Sequence, residues 1–334
     1  MTRPPNVVVI GGGSGLAMLL RGLKAYPANL SAIVTMTDNG KSSGRLRHEM
    51  KVLPPGDVRK CLAALAKDEK LLTKLFEYRF SRGRGLSGHS LGNLLLLALA
   101  DITGGFDAAV EASSKILAIK GRVIPSTYDN VNIAAELLKS EQSILGEKDI
   151  PIYGHRYGIK KVHLVPSDVV ANPDAVAAIE AADLILVGPG SFHTSVVPNF
   201  LIKEIRLAFE HARAKKLYIC NVSTERGETE RFTVEDHVRR LREYVNGTQF
   251  DGVIVNSRVL VYSKVEGKLG SIRNITTDKS EIAGMPVILA DVISDEQPLY
   301  HDPTRVAQVI WQNFAEPRKR PVSVSTQLSP RSLD

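Results

Sequence analysis

The sequence predicts an α/β protein, with a doubly wound, mostly parallel sheet that carries a helical insertion and a small β-hairpin. Three observations lead there. Short β-rich apolar runs alternate with helical runs along most of the chain, the pattern of a parallel sheet covered on both faces. The first such run, Val7–Ile10, opens directly into a glycine cluster and then a helix. A nearly all-helical stretch at about residues 56–118 separates the second strand from the rest of the sheet.

In chain order, Val7–Ile10, Ala32–Thr35, Val162–Val165, Leu184–Val187, Leu217–Cys220, Val253–Val255 and Val287–Leu289 read as buried parallel strands. Ser14–Lys24, Asp57–Ala66, Leu71–Phe80, Leu91–Ile102, Asp174–Ala181, Phe200–Ala214, Val234–Val245 and Thr304–Phe314 read as helices. Asp174 after Pro173, and Thr233 before Val234-Glu235-Asp236, mark two helix starts, with acids in the first turn. Val131–Leu138 and Gln142–Leu145 form the expected hairpin, turning at Lys139-Ser140-Glu141. The expected organisation is one Rossmann-like domain over residues 1–316 and a disordered basic tail over 317–334, where apolar periodicity stops.

The 334 residues are 43% hydrophobic and 24% charged, with a net charge of +7, enough chain to bury a large core without staples. The basic excess is diffuse apart from Arg318-Lys319-Arg320, and no aromatic-basic interleaving suggests nucleic acid. Cys61 and Cys220 lie far apart without CxxC or histidine-rich company, which implies a reducing compartment and no structural zinc. No apolar run is long enough to span a bilayer, and MTRPPN leads into a strand without a secretory h-region. A cytoplasmic location is the expectation, with a homodimer as the default oligomer.

Gly11-Gly12-Gly13-Ser14-Gly15 places backbone N–H groups at a helix N-terminus, where donors and dipole favour a phosphate. The spacing departs from the dinucleotide pattern GxGxxG: counting from Gly11 or Gly13, the third glycine would fall on Leu16 or Met18. No GKS/T follows, so it is not a Walker loop. A second turn, Gly188-Pro189-Gly190-Ser191, follows another strand and leads into Phe192-His193-Thr194-Ser195. In a doubly wound sheet both turns open at the carboxyl edge.

Between them, Thr37–Arg47 (TDNGKSSGRLR) reads as an ordered loop around an anion. Asp38, Asn39, Lys41, Ser42 and Ser43 supply polar groups, and Arg45 supplies a guanidinium. Asp57 is placed to cap the next helix, while Arg59 and Lys60 sit in a first turn that disfavours cations and so hint at an anionic partner. His89 and Asn93, four apart, share one face of a leucine-rich helix and point to the ligand. Asn221, Thr224 and Asn256 follow later strands in the same manner, and no GxSxG, HExxH or hydrolase triad order is present.

The ordered set IGGGSG, SSGRLR, PPGDVRK, GHSLGNL, GPGS, CNV with GET, and VIVNS, with HDP near residue 301, closely resembles the YvcK-like gluconeogenesis factors. These are related to the CofD-like 2-phospho-L-lactate transferases. The resemblance implies a Rossmann-like core in a cytosolic bacterial-type protein that binds a nucleoside diphosphate. In the YvcK-like branch the ligand is a UDP-sugar such as UDP-N-acetylglucosamine, and the role is control of cell shape and envelope on gluconeogenic carbon. In the transferase branch it is a guanosine diphosphate conjugate, and magnesium is used. Where the family loop reads Asp-Asp-Gly-Gly-Ser-Ser-Gly, this chain has Asp38-Asn39-Gly40-Lys41-Ser42-Ser43-Gly44, and GDxRN ends here in Lys60. One carboxylate is lost and two cations are gained, so lysine charge is expected to replace part of a metal's role, leaving magnesium to enter only through the diphosphate.

Three readings follow. The first is a UDP-sugar-binding regulator without turnover, held by Gly11, Gly12, Gly13, Ser14, Gly15, Gly188, Gly190, Ser191, Thr194, Ser195 and Asn221 around the diphosphate. Asp38, Asn39, Lys41, Ser42, Ser43, Arg45, Asp57, Arg59, His89 and Asn93 complete that site. The second is a phospholactyl transferase with Asp38 as its catalytic residue. The third, an NAD-dependent oxidoreductase, is disfavoured by Leu16.

Overall fold

A run of Val7, Val8, Val9 and Ile10, each at most 1% exposed, can only be a strand covered on both faces. The computed structural model, which describes residues 3–67, 71–259 and 272–315, places it in the middle of a sheet. The strands are β1 (Asn6–Gly11), β2 (Asn29–Val34), β3 (Arg122–Pro125), β4 (Asn132–Leu137), β5 (Ser143–Leu145), β6 (Ile159–Val165), β7 (Leu184–Val187), β8 (Lys215–Ile219), β9 (Gly252–Asn256), β10 (Glu281–Ile282) and β11 (Met285–Ala290). Eight of them form one sheet in the order β10-β11-β9-β8-β7-β1-β2-β3. Every pairing in it is parallel except β10 with β11.

The helices are α1 (Gly13–Leu23), α2 (Lys41–Met50), α3 (Gly56–Leu65), α4 (Leu71–Glu77), α5 (Leu91–Thr103), α6 (Phe106–Ile116), α7 (Ile150–Tyr157), α8 (Pro173–Glu180), α9 (Val197–Leu201), α10 (Lys203–His211), α11 (Val234–Tyr244) and α12 (Pro303–Ala315). A π-helical turn, Phe192–Val196, runs into α9. Helices α2 to α6 all lie between β2 and β3 in sequence. Strand order runs outward from β1 to β3 on one side and from β7 to β11 on the other, so the direction of winding reverses between β1 and β7. A parallel sheet leaves a crevice at the carboxyl ends of the strands flanking such a reversal.

Several elements differ from the sequence reading. Val162–Val165 falls within β6, which pairs antiparallel with β4 in a separate sheet ordered β5-β4-β6. A short apolar run encodes strand propensity but not its partner. The hairpin of β4 and β5 forms as expected, Ala134 opposite Leu145. Residues 41–50 of the expected anion loop are the helix α2, whose buried residues are Ser42, Ser43, Leu46 and Arg47. A face carrying a single apolar residue has no helical periodicity to read. The expected helix Phe200–Ala214 is broken at Ile202, whose ψ of 117° is extended. Asp174 does not cap α8; Asn172 does, accepting from the Asp174 N–H at 3.0 Å. Thr233 forms a full capping box with Asp236, as its spacing requires. The expected tail, with Arg318-Lys319-Arg320, lies outside the described residues. Among the described residues, no single helix is long and apolar enough to cross a membrane.

Candidate functional site

The crevice between β1 and β7 holds a cavity of about 290 Å³, at the small end of the range for ligand pockets. One wall is the first turn of α1, Gly12 to Gly15; facing it is the turn Pro189-Gly190-Ser191, with Ser195. Gly13 takes φ of +65°, which glycine adopts without strain. Gly15 lets the two turns touch, since a Cβ there would lie 2.6 Å from the Pro189 carbonyl oxygen. Asn221 clamps the second turn, accepting from the Gly190 N–H (3.1 Å) and donating to the Gly190 carbonyl (2.9 Å). Asn199 ties the two turns together by donating Nδ2 to the carbonyls of Gly11 (3.2 Å) and Ser195 (3.0 Å).

No side chain of its own N-cap caps α1. Asp57 reaches across from α3 instead, and its Oδ2 accepts from the Gly13 N–H at 2.7 Å. It therefore does not cap the helix it belongs to, whose N-cap is Pro55. The other Asp57 oxygen takes Lys60 Nζ at 2.9 Å, and Lys60 lines the cavity. With Asp57 holding the first N–H, those of Ser14 and Gly15 remain for a guest, as the first-turn donors of a helix have no intrahelical partner.

Acidic groups crowd round Lys60. Burial and the neighbouring Asp57 push the Asp38 carboxyl up, against hydrogen bonds from Ser43 and the Gly40 N–H. Gly56 makes room for it: a Cβ there would run into Asp38 Oδ2 and Ser43 Oγ. Glu147, on the cavity wall, is pushed up to about 9 by burial and by Asp38 and Asp57. The Asp57 and Asp38 charges raise Lys60 in turn, overcoming its desolvation.

The remaining expected residues sit behind or beside this wall. Ser42, His89, Asn93 and Arg59 form one buried chain. Ser42 Oγ meets His89 Nδ1 at 3.0 Å and accepts from Asn93 Nδ2 at 3.0 Å, while Arg59 Nε donates to Asn93 Oδ1 at 2.9 Å. The cation in the first turn of α3 thus has partners inside the protein. Arg45 is exposed and donates to the carbonyls of Ser87 (2.9 Å) and Gly85 (3.1 Å); Lys41 is also exposed and outside the cavity lining. Asn39 accepts from the Lys148 N–H at 2.9 Å and so holds the loop that carries Glu147. Gly11 and Gly188 lie at the strand ends, and Thr194 donates to Glu228 Oε1 at 2.8 Å. Glu147, Glu225, Tyr300 and His301 also line the cavity; of these only His301 carried a sequence signal, the HDP motif, because the others arrive from three separate segments with no local pattern.

Beneath the second turn, His193 and His237 pack edge-on against Phe192 and Phe232. Both His193 ring nitrogens and His237 Nε2 lack hydrogen-bond partners. Burial pushes His193 down to about 3, His237 to about 4 and His301 to about 4. Below their ordinary value of about 6.5 the unfolded chain binds protons that the folded one refuses, so stability falls with pH. The raised carboxyls of Glu147 and Glu225 act in the opposite direction but saturate below about 4.5. A steep loss of melting temperature is therefore expected between about pH 4.5 and 3, at up to ~1.4 kcal/mol per pH unit for each histidine. A flat melting profile through this interval in a circular dichroism titration contradicts it.

Residues 7–293 match the family model described as 2-phospho-L-lactate transferase CofD. The chain is 42% identical over 317 residues to the gluconeogenesis factor of Bacillus subtilis strain 168, covering 93% of this chain and 98% of that one. With the gluconeogenesis factor of Halalkalibacterium halodurans it shares 40% over 312 residues, covering 92% and 96%. This chain belongs to the gluconeogenesis-factor (YvcK) family. A crystal structure of a UPF0052-family member from Bacillus halodurans superposes with a TM-score of 0.86 at 39% identity, over 92% of this chain and 99% of that one. As a gluconeogenesis-factor family member, the chain is a distant homologue of the CofD transferases. Among the described residues no three His, Cys, Asp or Glu side chains are grouped to hold a metal ion, and Lys60 already lies on Asp57.

Proposed function

We propose that this protein binds a nucleoside diphosphate sugar, a UDP-sugar of the UDP-N-acetylglucosamine kind, as a regulator in gluconeogenic growth and envelope metabolism rather than as an enzyme. One observation carries the reading: the first turn of α1, where Asp57 takes only the Gly13 N–H, the glycine turn after β7 and the Lys60 ammonium all border one cavity. Backbone donors, a helix dipole and a cation together suit a diphosphate. Lys60, rather than Lys41, supplies the positive charge at this wall, with any magnesium brought in by the diphosphate itself. The test is a thermal shift with UDP-N-acetylglucosamine, GDP and NAD. A ligand held by the folded state at a hundred times its Kd adds about 2.7 kcal/mol, so the UDP-sugar is expected to raise the melting temperature most. A shift with NAD alone overturns the reading. The regulatory role is tested by complementation: a strain lacking the gene is expected to regain normal shape on gluconeogenic carbon with the parent protein, and a full rescue by a variant that binds no nucleotide contradicts it.

The buried Asp38, whose carboxyl burial and the Asp57 charge push up towards the range of a general base, and the match to the CofD model favour a second reading, transfer of a phospholactyl group from a guanosine diphosphate conjugate to an alcohol, with the nucleoside monophosphate leaving. Asp38 would accept the proton of the attacking hydroxyl. Mass-spectrometric detection of such a product, lost in Asp38→Asn, selects this reading over the first.

A further inference from the structure

We propose that Glu225 reads the base of the bound nucleotide by donating a hydrogen bond to a carbonyl oxygen of that base. The inference rests on the nucleotide-binding reading above and concerns the same cavity. Lys60 and the first turn of α1 supply it with a cation and N–H donors; Val222, Leu299 and Tyr300 also line it, and Ser223 Oγ donates to the Leu299 carbonyl at 3.0 Å, joining those two segments. Apolar walls suit a flat base, and the donors suit the phosphates.

Glu225 lines the same cavity, three residues along the chain from Val222. Its Oε1 accepts from Ser191 Oγ at 3.1 Å, and its backbone N–H is fixed on Thr229 Oγ1 at 2.9 Å. Its Oε2 is buried and has no hydrogen-bond partner among the described residues. A buried carboxyl with one oxygen satisfied and the other orphaned beside a cavity is unusual, because buried polar atoms are nearly always paired. Among the described residues no cation pairs with it. Burial, and the like charge of Glu228 from the same segment, push Glu225 up to about 8 against its hydrogen bond from Ser191. The other titratable groups nearby are Tyr218 on β8, raised by its own burial, and His193 and His301, both neutral at this pH. Lys60 and Glu147 border the same cavity.

At neutral pH the Glu225 proton sits on the orphaned Oε2, making it an O–H donor, since Oε1 is already an acceptor. A donor matches the O4 carbonyl of uracil and mismatches the amino group that cytosine carries there. Once ionised, Glu225 is an acceptor only, and the preference reverses.

The experiment measures binding of UDP-glucose, CDP-glucose and inorganic pyrophosphate by calorimetry from pH 6.5 to 9, for the parent, Glu225→Gln and Glu225→Ala. The parent is expected to prefer UDP-glucose over CDP-glucose by about tenfold at pH 6.5, the scale of one hydrogen bond, and to lose that preference as pH passes 8. Glu225→Gln, whose amide oxygen keeps the Ser191 contact while its NH2 donates as the protonated carboxyl does, is expected to keep the preference for UDP-glucose at pH 6.5 and to retain it above pH 8, so that its share of the pH dependence disappears. The Glu147 contribution persists in both proteins, so the difference between their profiles isolates Glu225. Glu225→Ala weakens UDP-glucose about tenfold and leaves pyrophosphate unchanged.

Identical pH profiles for the parent and Glu225→Gln, or an affinity that rises with pH as for a carboxylate gripping hydroxyls, overturn the inference while leaving nucleotide binding intact. An equal loss of pyrophosphate in Glu225→Ala moves the contact to the phosphates and also overturns it. A parent that binds no nucleoside diphosphate at any pH removes the underlying reading and this inference with it.

Discussion

Gly15→Ala is expected to abolish the ligand-induced thermal shift and to lower the melting temperature of the free protein. The added Cβ would lie 2.6 Å from the Pro189 carbonyl oxygen and 2.9 Å from Gly190 Cα. These are backbone atoms, and the second of them belongs to a turn clamped on both faces by Asn221, so no side chain can swing aside. Either α1 retreats from the sheet or the second turn moves outward, and both separate the donors that the proposed diphosphate would bridge. Overpacking of this kind costs about 1–3 kcal/mol, and the loss of register between the two turns removes binding besides. Ser14→Ala is the control for the fold: its side chain is exposed and the change adds no volume. Differential scanning fluorimetry with and without UDP-sugar reads both effects. A Gly15→Ala protein with the parent's melting temperature and shift shows that the turns do not need their present contact.

The second large effect is expected from Lys60→Met. In the parent, burial and mutual repulsion raise Asp38 and Glu147, the latter to about 9. The sign follows from proton counting. Above about 4.5 the unfolded carboxyls have lost their protons while the folded ones keep them, so stability falls as pH rises towards 9. The Lys60 charge lowers both carboxyls and limits that fall. Removing it leaves Asp57, only 3% exposed, with the Gly13 N–H as its one remaining partner of the two given above. The melting temperature of Lys60→Met is therefore expected to drop more steeply between pH 5 and 9 than that of the parent. Affinity for a nucleoside diphosphate is expected to fall ~10- to 100-fold, the worth of a charge-assisted hydrogen bond. Melting curves that run parallel across this range would show that Lys60 does not hold the acidic group together.

The two glycine turns were legible because each needs glycine for a physical reason that leaves a mark: a positive φ at Gly13 and Gly190 and a backbone contact at Gly15. The polar stretch between them was legible as composition but not as geometry. Ser42, Arg59 and Asn93 stand on α2, α3 and α5, whereas His89 lies in the segment just before α5 and not, as its spacing from Asn93 suggested, on the helix face; their polarity signalled importance without saying whether they face a guest or one another. Arg45 illustrates the same limit, since an arginine beside an anion-like loop and one that braces the carbonyls of Ser87 and Gly85 are identical in sequence. Asp57 was legible as a capping residue, yet the helix it serves is α1, 44 positions away in the chain.

Local chemistry was sufficient to determine that this chain forms strands at Val7–Ile10 and Leu184–Val187, that glycine turns follow them, and that the motif order is that of the gluconeogenesis factors; each is written in contiguous residues. Only the tertiary structure decided that β6 leaves the main sheet, that Lys60 stands among Asp38, Asp57 and Glu147, and that Glu225 ends with an unpaired oxygen beside the cavity. Those facts depend on pairings between segments distant along the chain. The free energy of such pairings lies in burial and desolvation, which no single stretch of sequence carries.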